Sequence, residues 1–470
     1  MGTISSALSM MAQTLDADQA ALNIVANNVA NANTPGYTVE SPTWQQNQPI
    51  NINGDLVGTG ATQTGPQSQR DHVLEQRLNQ QQQLASASGS RLAALNAVEA
   101  LFKPASGSDS SLAGDIGSDM TGFFNSFSSL EANPTNTSLR EQVLSSATTL
   151  AGDVSNAAAN LHAQRSSLDQ KAAAVVSQVN ALTANLAQLN LEIQSASPAG
   201  DAGTLEDQRQ HDLSQLSQLI GINETATENN GLSITNTSGQ LLVANGSAVP
   251  MTSGVVNGVT HLFIGTADVT DLLASGGGSL GGDLTARDQD IPNVLASLDQ
   301  LAYSVSTEVN ALNNAGTNLA GANGNAGDIF LQPTQVSGSA ASMRVVMTDP
   351  DGISAAALGQ GTGDNSNAVA LASLANRTIV NGQSPSNFYS IFITTLGSTV
   401  SGVQIQNTAQ SASVSQLQSQ NDSLSSVNLN DEASALTMME RSYQAASQVF
   451  AMLNRIMATA MNLGQQTTVS

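Results

Sequence analysis

The chain of 470 residues has no cysteine, two lysines (Lys103 and Lys171) and only 3% aromatic residues. Each shortage excludes something. Without cysteine there is no disulfide framework and no thiol chemistry, which also suits a chain that must stay uncrosslinked while unfolded. Charged residues make up 10% and the formal charge is −23, so clustered Lys or Arg to neutralise phosphates are missing. Nucleic acid and anionic membrane are therefore not expected partners. Scarce aromatics leave Ala and Leu to fill the cores, which favours long helical seams and rods over aromatic clusters and globules. The first basic residue is Arg70, and residues 1–30 lack a continuous apolar run, so no secretory leader is expected. No stretch reaches the length of a transmembrane helix. By these ordinary rules the chain reads as cytosolic.

What is present is apolar periodicity at both ends. Ile4, Leu8, Met11, Leu15, Leu22, Val25 and Val29 keep helical spacing, as do Leu436, Met439, Tyr443, Ala446, Phe450, Leu453, Met457 and Ala460. Steps of three and four gather each set on one face of a helix, with Asp18 interrupting the first stripe. The expectation is that the terminal helices pair as an α-helical coiled coil. Its seam sets Leu8, Met11, Leu15, Leu22, Val25 and Val29 against Leu436, Met439, Tyr443, Phe450, Leu453 and Met457. Such a pair has little core of its own, so the stripes are expected to be poorly ordered in a monomer and buried on polymerisation.

The fold class expected is mainly α with an inserted β module, in nested order. Residues 1–66 and 425–470 form the terminal assembly domain. Residues 67–221, 281–324 and 353–424 form a helical rod, 222–280 an inserted β domain, and 325–352 a small β excursion. Residues 38–66 read as extended or loop structure, and 107–122 as a soft connection. Apolar spacing from Leu139 to Ile193 predicts roughly 55 residues of helix, about 80 Å at ~1.5 Å per residue, stopped at Ser197-Pro198-Ala199-Gly200. Alternating stretches at 231–234, 240–243 and 259–264, with Asn257-Gly258 as a hairpin turn, mark the β module. Residues 276–282 read as a flexible glycine-rich linker.

Chemistry-bearing motifs are missing. His72, His162, His211 and His261 lie far apart without ligand spacing. The glycines at 276–282 lack the Lys-Ser/Thr ending of a phosphate loop, and Asp349, Asp351 and Asp364 lack EF-hand order. No catalytic, cofactor or metal residue is nominated, and an enzyme is not expected. An adhesin or secreted enzyme acting through the β module is the reading from another class.

Ala26-Asn27-Asn28-Val29-Ala30-Asn31-Ala32-Asn33-Thr34-Pro35-Gly36-Tyr37 resembles the signature near the start of bacterial flagellar rod, hook and hook-associated proteins. Val427-Asn428-Leu429, Asp431-Glu432-Ala433 and Ser442-Tyr443-Gln444-Ala445-Ala446 resemble its C-terminal counterpart. Three internal stretches are similar to one branch, the hook-associated protein 1 family of hook-filament junction proteins. They are Leu205-Glu206-Asp207-Gln208-Arg209, Gly282-Asp283-Leu284 with Arg287-Asp288, and Gly363-Asp364-Asn365-Ser366-Asn367-Ala368. They nominate Asp207, Arg209, Arg287, Asp364, Asn365 and Asn367 as family residues. The resemblance covers essentially the whole chain. It departs at Thr38-Val39-Glu40, where the family often has a basic residue, and in the small size of the β insert.

The resemblance implies a structural subunit of the extracellular flagellum, exported unfolded through the flagellar type III pathway. Implied partners are further copies of itself, the hook protein, and the second junction protein with the flagellin side of the filament. An export chaperone would bind the C-terminal helix. Asn27, Asn28, Asn31, Asn33, Pro35, Gly36 and Tyr37 become a candidate assembly motif. They act either as helix-ending residues or as amides that satisfy backbone groups at a crowded subunit contact. Another axial protein, such as the hook protein, is the alternative within the class.

Overall fold

The computed structural model describes residues 2–52, 55–103, 115–197 and 200–466. Helix α1 (Gly2–Asn31) leads into an arm of two paired ladders. In it β1 (Glu40–Gln46) pairs antiparallel with β4 (Ala61–Ser68), bulging between Thr43 and Trp44, and β2 (Ile50–Ile52) pairs with β3 (Asp55–Val57). The stretch expected as extended or loop is thus an ordered hairpin laid along α1. Its side chains are too polar to show a strand pattern, so the backbone ladder and polar pairs such as the Thr43 and Thr64 hydroxyls, 2.8 Å apart, hold it instead.

The helical body follows: α2 (His72–Ala100), α3 (Ile116–Ala132), α4 (Thr137–Ala196) and α5 (Thr204–Leu219). Asp71 caps α2 by accepting from the Val73 and Leu74 amides, and Asn136 caps α4 by accepting from Leu139. Helix α4 runs for 60 residues, about 90 Å at ~1.5 Å per residue. Of its expected stop, Pro198 and Ala199 lie outside the described residues.

Helix α4 serves two cores. Its first half packs with α2, α3, α8 (Ile291–Ala315), α10 (Ser366–Ser373) and α11 (Pro385–Ser425). Its second half packs with α5 and the β module. There β5 (Ile222–Ala226), β6 (Leu232–Asn236), β7 (Leu241–Ala244) and β8 (Ser247–Ala248) form a four-stranded antiparallel meander. Beside it β9 (Met251–Val256), β10 (Val259–Ile264) and β11 (Ala267–Asp268) form a three-stranded one. Asn257 and Gly258 both have positive φ, as a two-residue type I′ hairpin turn requires.

Four expectations are corrected. Of the soft connection, 107–114 lie outside the described residues, but Ile116 already begins α3, capped by Asp115. Helix α3 also brings an aromatic cluster, with the Phe123 ring 5.2, 5.3 and 5.4 Å from those of Phe124, Phe127 and Phe330. A low average hides phenylalanines that concentrate in one core. The glycine-rich stretch is not a linker but the end of α6 (Thr270–Gly276) and the buried start of α7 (Gly278–Thr285). A Cβ at Gly282 would collide with the Ala87 carbonyl, and one at Gly278 with the backbone of Ile220. Here glycine permits close packing of backbones. A π-helical segment (Ala286–Asp290) joins α7 to α8.

The small β excursion is mostly irregular. Residues 329–331 and 343–347 meet in one isolated bridge, Phe330 to Val345. The ladder there is β12 (Thr317–Asn318) with β13 (Ser354–Ala356), and α9 (Ser339–Ser342) and a 3-10 turn (Pro350–Gly352) lie between. Asn310 of α8 explains the missing strand, because its side-chain oxygen accepts from the amides of Ile329 and Phe330.

The chain closes with α12 (Leu429–Gln466), where Asn428 accepts from the Asn430 amide. Helix α12 starts beside the end of α1 and runs back along it, so the expected terminal pair forms and is antiparallel. Both helices are continuous, and the β arm lies along α1. Val25 is buried. Leu8, Met11, Leu15, Leu22, Met439, Phe450, Leu453 and Met457 are half-buried, and Val29, Leu436 and Tyr443 stay exposed. Among the described residues no helix is long and apolar enough to cross a membrane.

Candidate assembly junction

The terminal unit meets the body where α1 ends. Thr34-Pro35-Gly36-Tyr37 is a type II turn: the Tyr37 amide donates to Thr34 O at 3.2 Å, and Gly36 has φ +81°. This turn folds Tyr37 back against the preceding helix. Asn28, almost fully buried, then closes the loop. Its Oδ1 accepts from the Tyr37 hydroxyl at 2.8 Å and the Glu40 amide at 3.0 Å, while its Nδ2 donates to Glu40 O at 2.8 Å. One side-chain amide thereby replaces a strand partner for Glu40 and sets how β1 leaves α1.

Asn27 donates to the Tyr37 hydroxyl at 3.3 Å, and Asn31 donates back to Asn27. Asn33 is exposed, as are Pro35 and Gly36 of the turn, so three of the four asparagines hold the loop and the fourth faces solvent. Burial pushes the Tyr37 phenol above its usual range, and Glu40, Asp207 and Glu432 push it further. It therefore stays protonated and able to donate to Asn28.

Tyr37 and Glu40 face α5. The Thr38 amide donates to Asp207 Oδ2 at 3.1 Å, and Arg70 Nη2 donates to Asp207 Oδ1 at 2.6 Å. The Arg70 side chain, 3% exposed, also lies 3.7 Å from Glu206 and 3.8 Å from Glu75. Asp201 accepts from the Ser68 amide and hydroxyl and from Gly203 N. Gly203 sits at φ +55°, and a Cβ there would overlap the Glu40 carboxylate. The Val39 amide reaches Ser425 O at 2.8 Å, which brings in the end of α11. Five separate chain segments thus converge on residues 37–40.

Carboxylates outnumber cations at this junction, and the electrostatics follow. Burial first, then Asp201 and Asp207, raise the Glu40 carboxyl. Burial also raises Asp207 and Glu224, against the pull of hydrogen bonds and arginines. Burial opposes ionisation of Asp201 as well, but hydrogen bonds from Ser68 and Gly203 outweigh it and hold that carboxyl low.

The family residues do not share one site. Asp207 belongs to the junction, whereas Arg209 turns away from it and donates to Asn230 O at 2.8 Å, tying α5 to the loop between β5 and β6. Arg287, on the π-helical segment, donates to Asp169 at 2.7 Å, to Thr260 O at 2.8 Å and to Asp288, and so clamps α4 to β10. Asp364 accepts from the amides of Ala357 and Ser366, Asn365 donates to Glu131 O, and Asn367 donates to Ser354 O and Leu312 O. Those three organise the entry to α10, in the first core. Sequence reasoning missed Arg70, Asp201 and Glu40. The available signal was Arg70 as the first cation of an acidic chain. Among the described residues no three His, Cys, Asp or Glu side chains are placed to hold a metal ion.

The profile described as "Flagellar hook-associated protein FlgK helical domain" matches residues 95–330, half of the chain. The chain belongs to the flagellar hook-associated protein FlgK family. The profile "Flagella basal body rod protein" matches residues 10–38, the stretch that ends in the Asn28 and Tyr37 loop. Flagellar hook-associated protein 1 of Escherichia coli (strain K12) is 28% identical over 327 residues, which cover 67% of this chain and 58% of that protein. The match therefore spans less than two thirds of that relative. The protein of the same name from Bacillus subtilis (strain 168) is 25% identical, covering 95% of this chain and 96% of its own. The solved flagellar hook junction protein FlgK from Burkholderia pseudomallei superposes with a TM-score of 0.65 at 17% identity, covering 74% of this chain and all of that one. That likeness speaks to the fold: mainly helical, with a small inserted β module.

Proposed function

We propose that the chain is a secreted, non-enzymatic structural subunit of the flagellum at the hook-filament junction. It polymerises through α1 and α12 and adapts the hook to the filament. The observation that carries this reading is the terminal pair, which a single polar junction fixes to the body while much of its apolar face stays uncovered. Monomer core would be walled on all sides; a face left open is available to other copies. In this reading 1–66 and 425–470 are the assembly unit, and the helical segments 67–221, 281–324 and 353–424 a middle layer. Residues 222–280 lie outward. The neighbours are further copies, the hook protein, and the second junction protein with the flagellin side. An export chaperone covers α12 beforehand.

A strain lacking the protein should keep its hooks and shed flagellin monomers into the medium. Loss of the hooks themselves would overturn the junction assignment in favour of a hook-type subunit. In the purified chain, Leu453→Asp or Leu22→Asp should abolish assembly while the body's melting transition stays in place.

A further inference from the structure

Helices α3 and α4 pack side by side, and the seam between them is largely apolar. Ile116, Met120 and Phe123 are buried on α3, and Leu150 and Val154 on α4. Among these residues sit two half-buried carboxyls, Asp119 of α3 and Asp153 of α4. They lie within hydrogen-bonding reach of each other. Asp119 Oδ2 is buried, and among the described residues no N–H or O–H group reaches it. Two ionised carboxylates can only accept, so a bond between them requires a proton on one.

No cation is at hand to take that proton's place. On α3 the other acid facing the pair is Asp115, the N-cap, which adds to the repulsion. On α4 the facing group is Asp153 itself. On α11 it is Tyr389, whose ring lies so near Gly117 that a Cβ there would come within 3.1 Å of it. Burial, then Asp115 and Asp119, hold the Tyr389 phenol above its usual range, so it stays neutral. Helix α10 also packs on α3 and carries no ionisable side chain. Among the described residues no ion pair includes Asp115, Asp119 or Asp153.

We propose that Asp119 and Asp153 share a single proton, and that this proton is a latch on the start of α3. With it bound, a hydrogen bond joins α3 to α4. When it leaves for water, two carboxylates face each other across an apolar seam, and the first turns of α3 loosen from α4 and Tyr389. Burial, the hydrogen bond with Asp153, and the charges of Asp153 and Asp115 raise the Asp119 carboxyl to about 7. The unfolded value is about 4. The raised carboxyl therefore contributes fully below the unfolded value, and its contribution is lost as pH rises through the folded one. The latch concerns the body, and it stands whether or not the terminal unit polymerises.

Hydrogen exchange of the full chain, corrected for intrinsic rates, tests the latch without altering it. Between about pH 5.5 and about pH 8, the amides of residues 119–124 should lose protection at least tenfold. Those of residues 179–190, where α4 lies in the second core, should change less than twofold. Unchanged protection in α3 would overturn the latch, and so would an equal loss in both segments. Asp119→Asn and Asp153→Asn each supply an amide that donates to the remaining carboxylate at any pH. Each variant should hold α3 protection constant across the range and above the parent's at the alkaline end. If both instead keep the parent's pH dependence, another group is titrating and the shared proton is wrong.

Discussion

Helices α4 and α12 carry apolar residues at the same three- and four-residue spacing, yet they finish in different states. Along α4, Val143, Leu161 and Leu186 have no exposed surface at all. Along α12, Leu436 and Tyr443 keep 36% and 38% of theirs. The difference lies in the walls. Helix α4 is flanked by α3, α5, α8 and the β module, whereas α12 packs chiefly along α1. One partner helix covers a narrow seam, while a broad apolar stripe needs neighbours on both flanks. Periodicity therefore reports that a face is destined for burial and leaves open which molecule will bury it.

The sharpest way to break this contrast is at the junction that separates the two regions. Arg70→Ala removes the cation buried among Glu75, Glu206 and Asp207. Leaving buried carboxylates uncompensated costs about 3–5 kcal/mol. The expected result is lost amide protection in residues 28–40 by hydrogen exchange, with α4 protection retained. A cost below about 1 kcal/mol, as for an exposed pair, would mean the regions are joined otherwise.

Next in size is a matched pair of truncations. Leu161→Ala in α4 should cost about 2–5 kcal/mol in the main urea transition, because a fully buried leucine leaves a cavity. Leu453→Ala, only half-buried, should leave that transition nearly in place and act on self-association. Equal shifts of one transition by both would merge the terminal pair into the body's core. A smaller loss, about 1–3 kcal/mol, is expected for Asn28→Ala. It strands the Glu40 amide and carbonyl, and the Glu40 amide should then exchange faster.

Much of the fold could be read from the residues, for reasons that are local. The α4 stripe, the Pro35-Gly36 turn and the Asn257-Gly258 hairpin each depend on a few neighbouring side chains. So does the helical character of both termini. What escaped reading is what long-range contacts decide. Gly278 and Gly282 resemble a linker until the carbonyl of Ala87 and the backbone of Ile220 arrive beside them. Residues 329–330 resemble a strand until Asn310 takes their amides. The junction was half legible: Asn28 and Tyr37 belong to a recognisable motif. Arg70 gathers Asp207 and Glu206 only because the β arm and α5 meet across more than a hundred residues of intervening chain.

The smallest effect expected is on pH, and it distinguishes the junction from the seam. Glu40, Asp207 and Glu224 are all raised, chiefly by burial, and His72 is raised by its hydrogen bond to Glu75. A raised carboxyl binds more protons folded than unfolded between its two values, so it stabilises the fold as pH falls through the folded value. Raised His72 acts with the same sign, its contribution present at low pH and lost as pH rises through its folded value. Asp201 is held low and acts oppositely, losing its contribution only as pH falls below the ordinary aspartate range, about 4. Mild acidification from neutrality should therefore increase amide protection at residues 28–40, and stronger acid should reverse the gain. Hydrogen exchange corrected for intrinsic rates would show the maximum. Leu15 and Phe450 in the α1 and α12 seam have no side-chain proton to exchange with solvent, and their amides serve as the internal reference. A steady loss of junction protection from neutral pH downward would mean that Asp201, and not the raised carboxylates, governs how the terminal unit is held to the body.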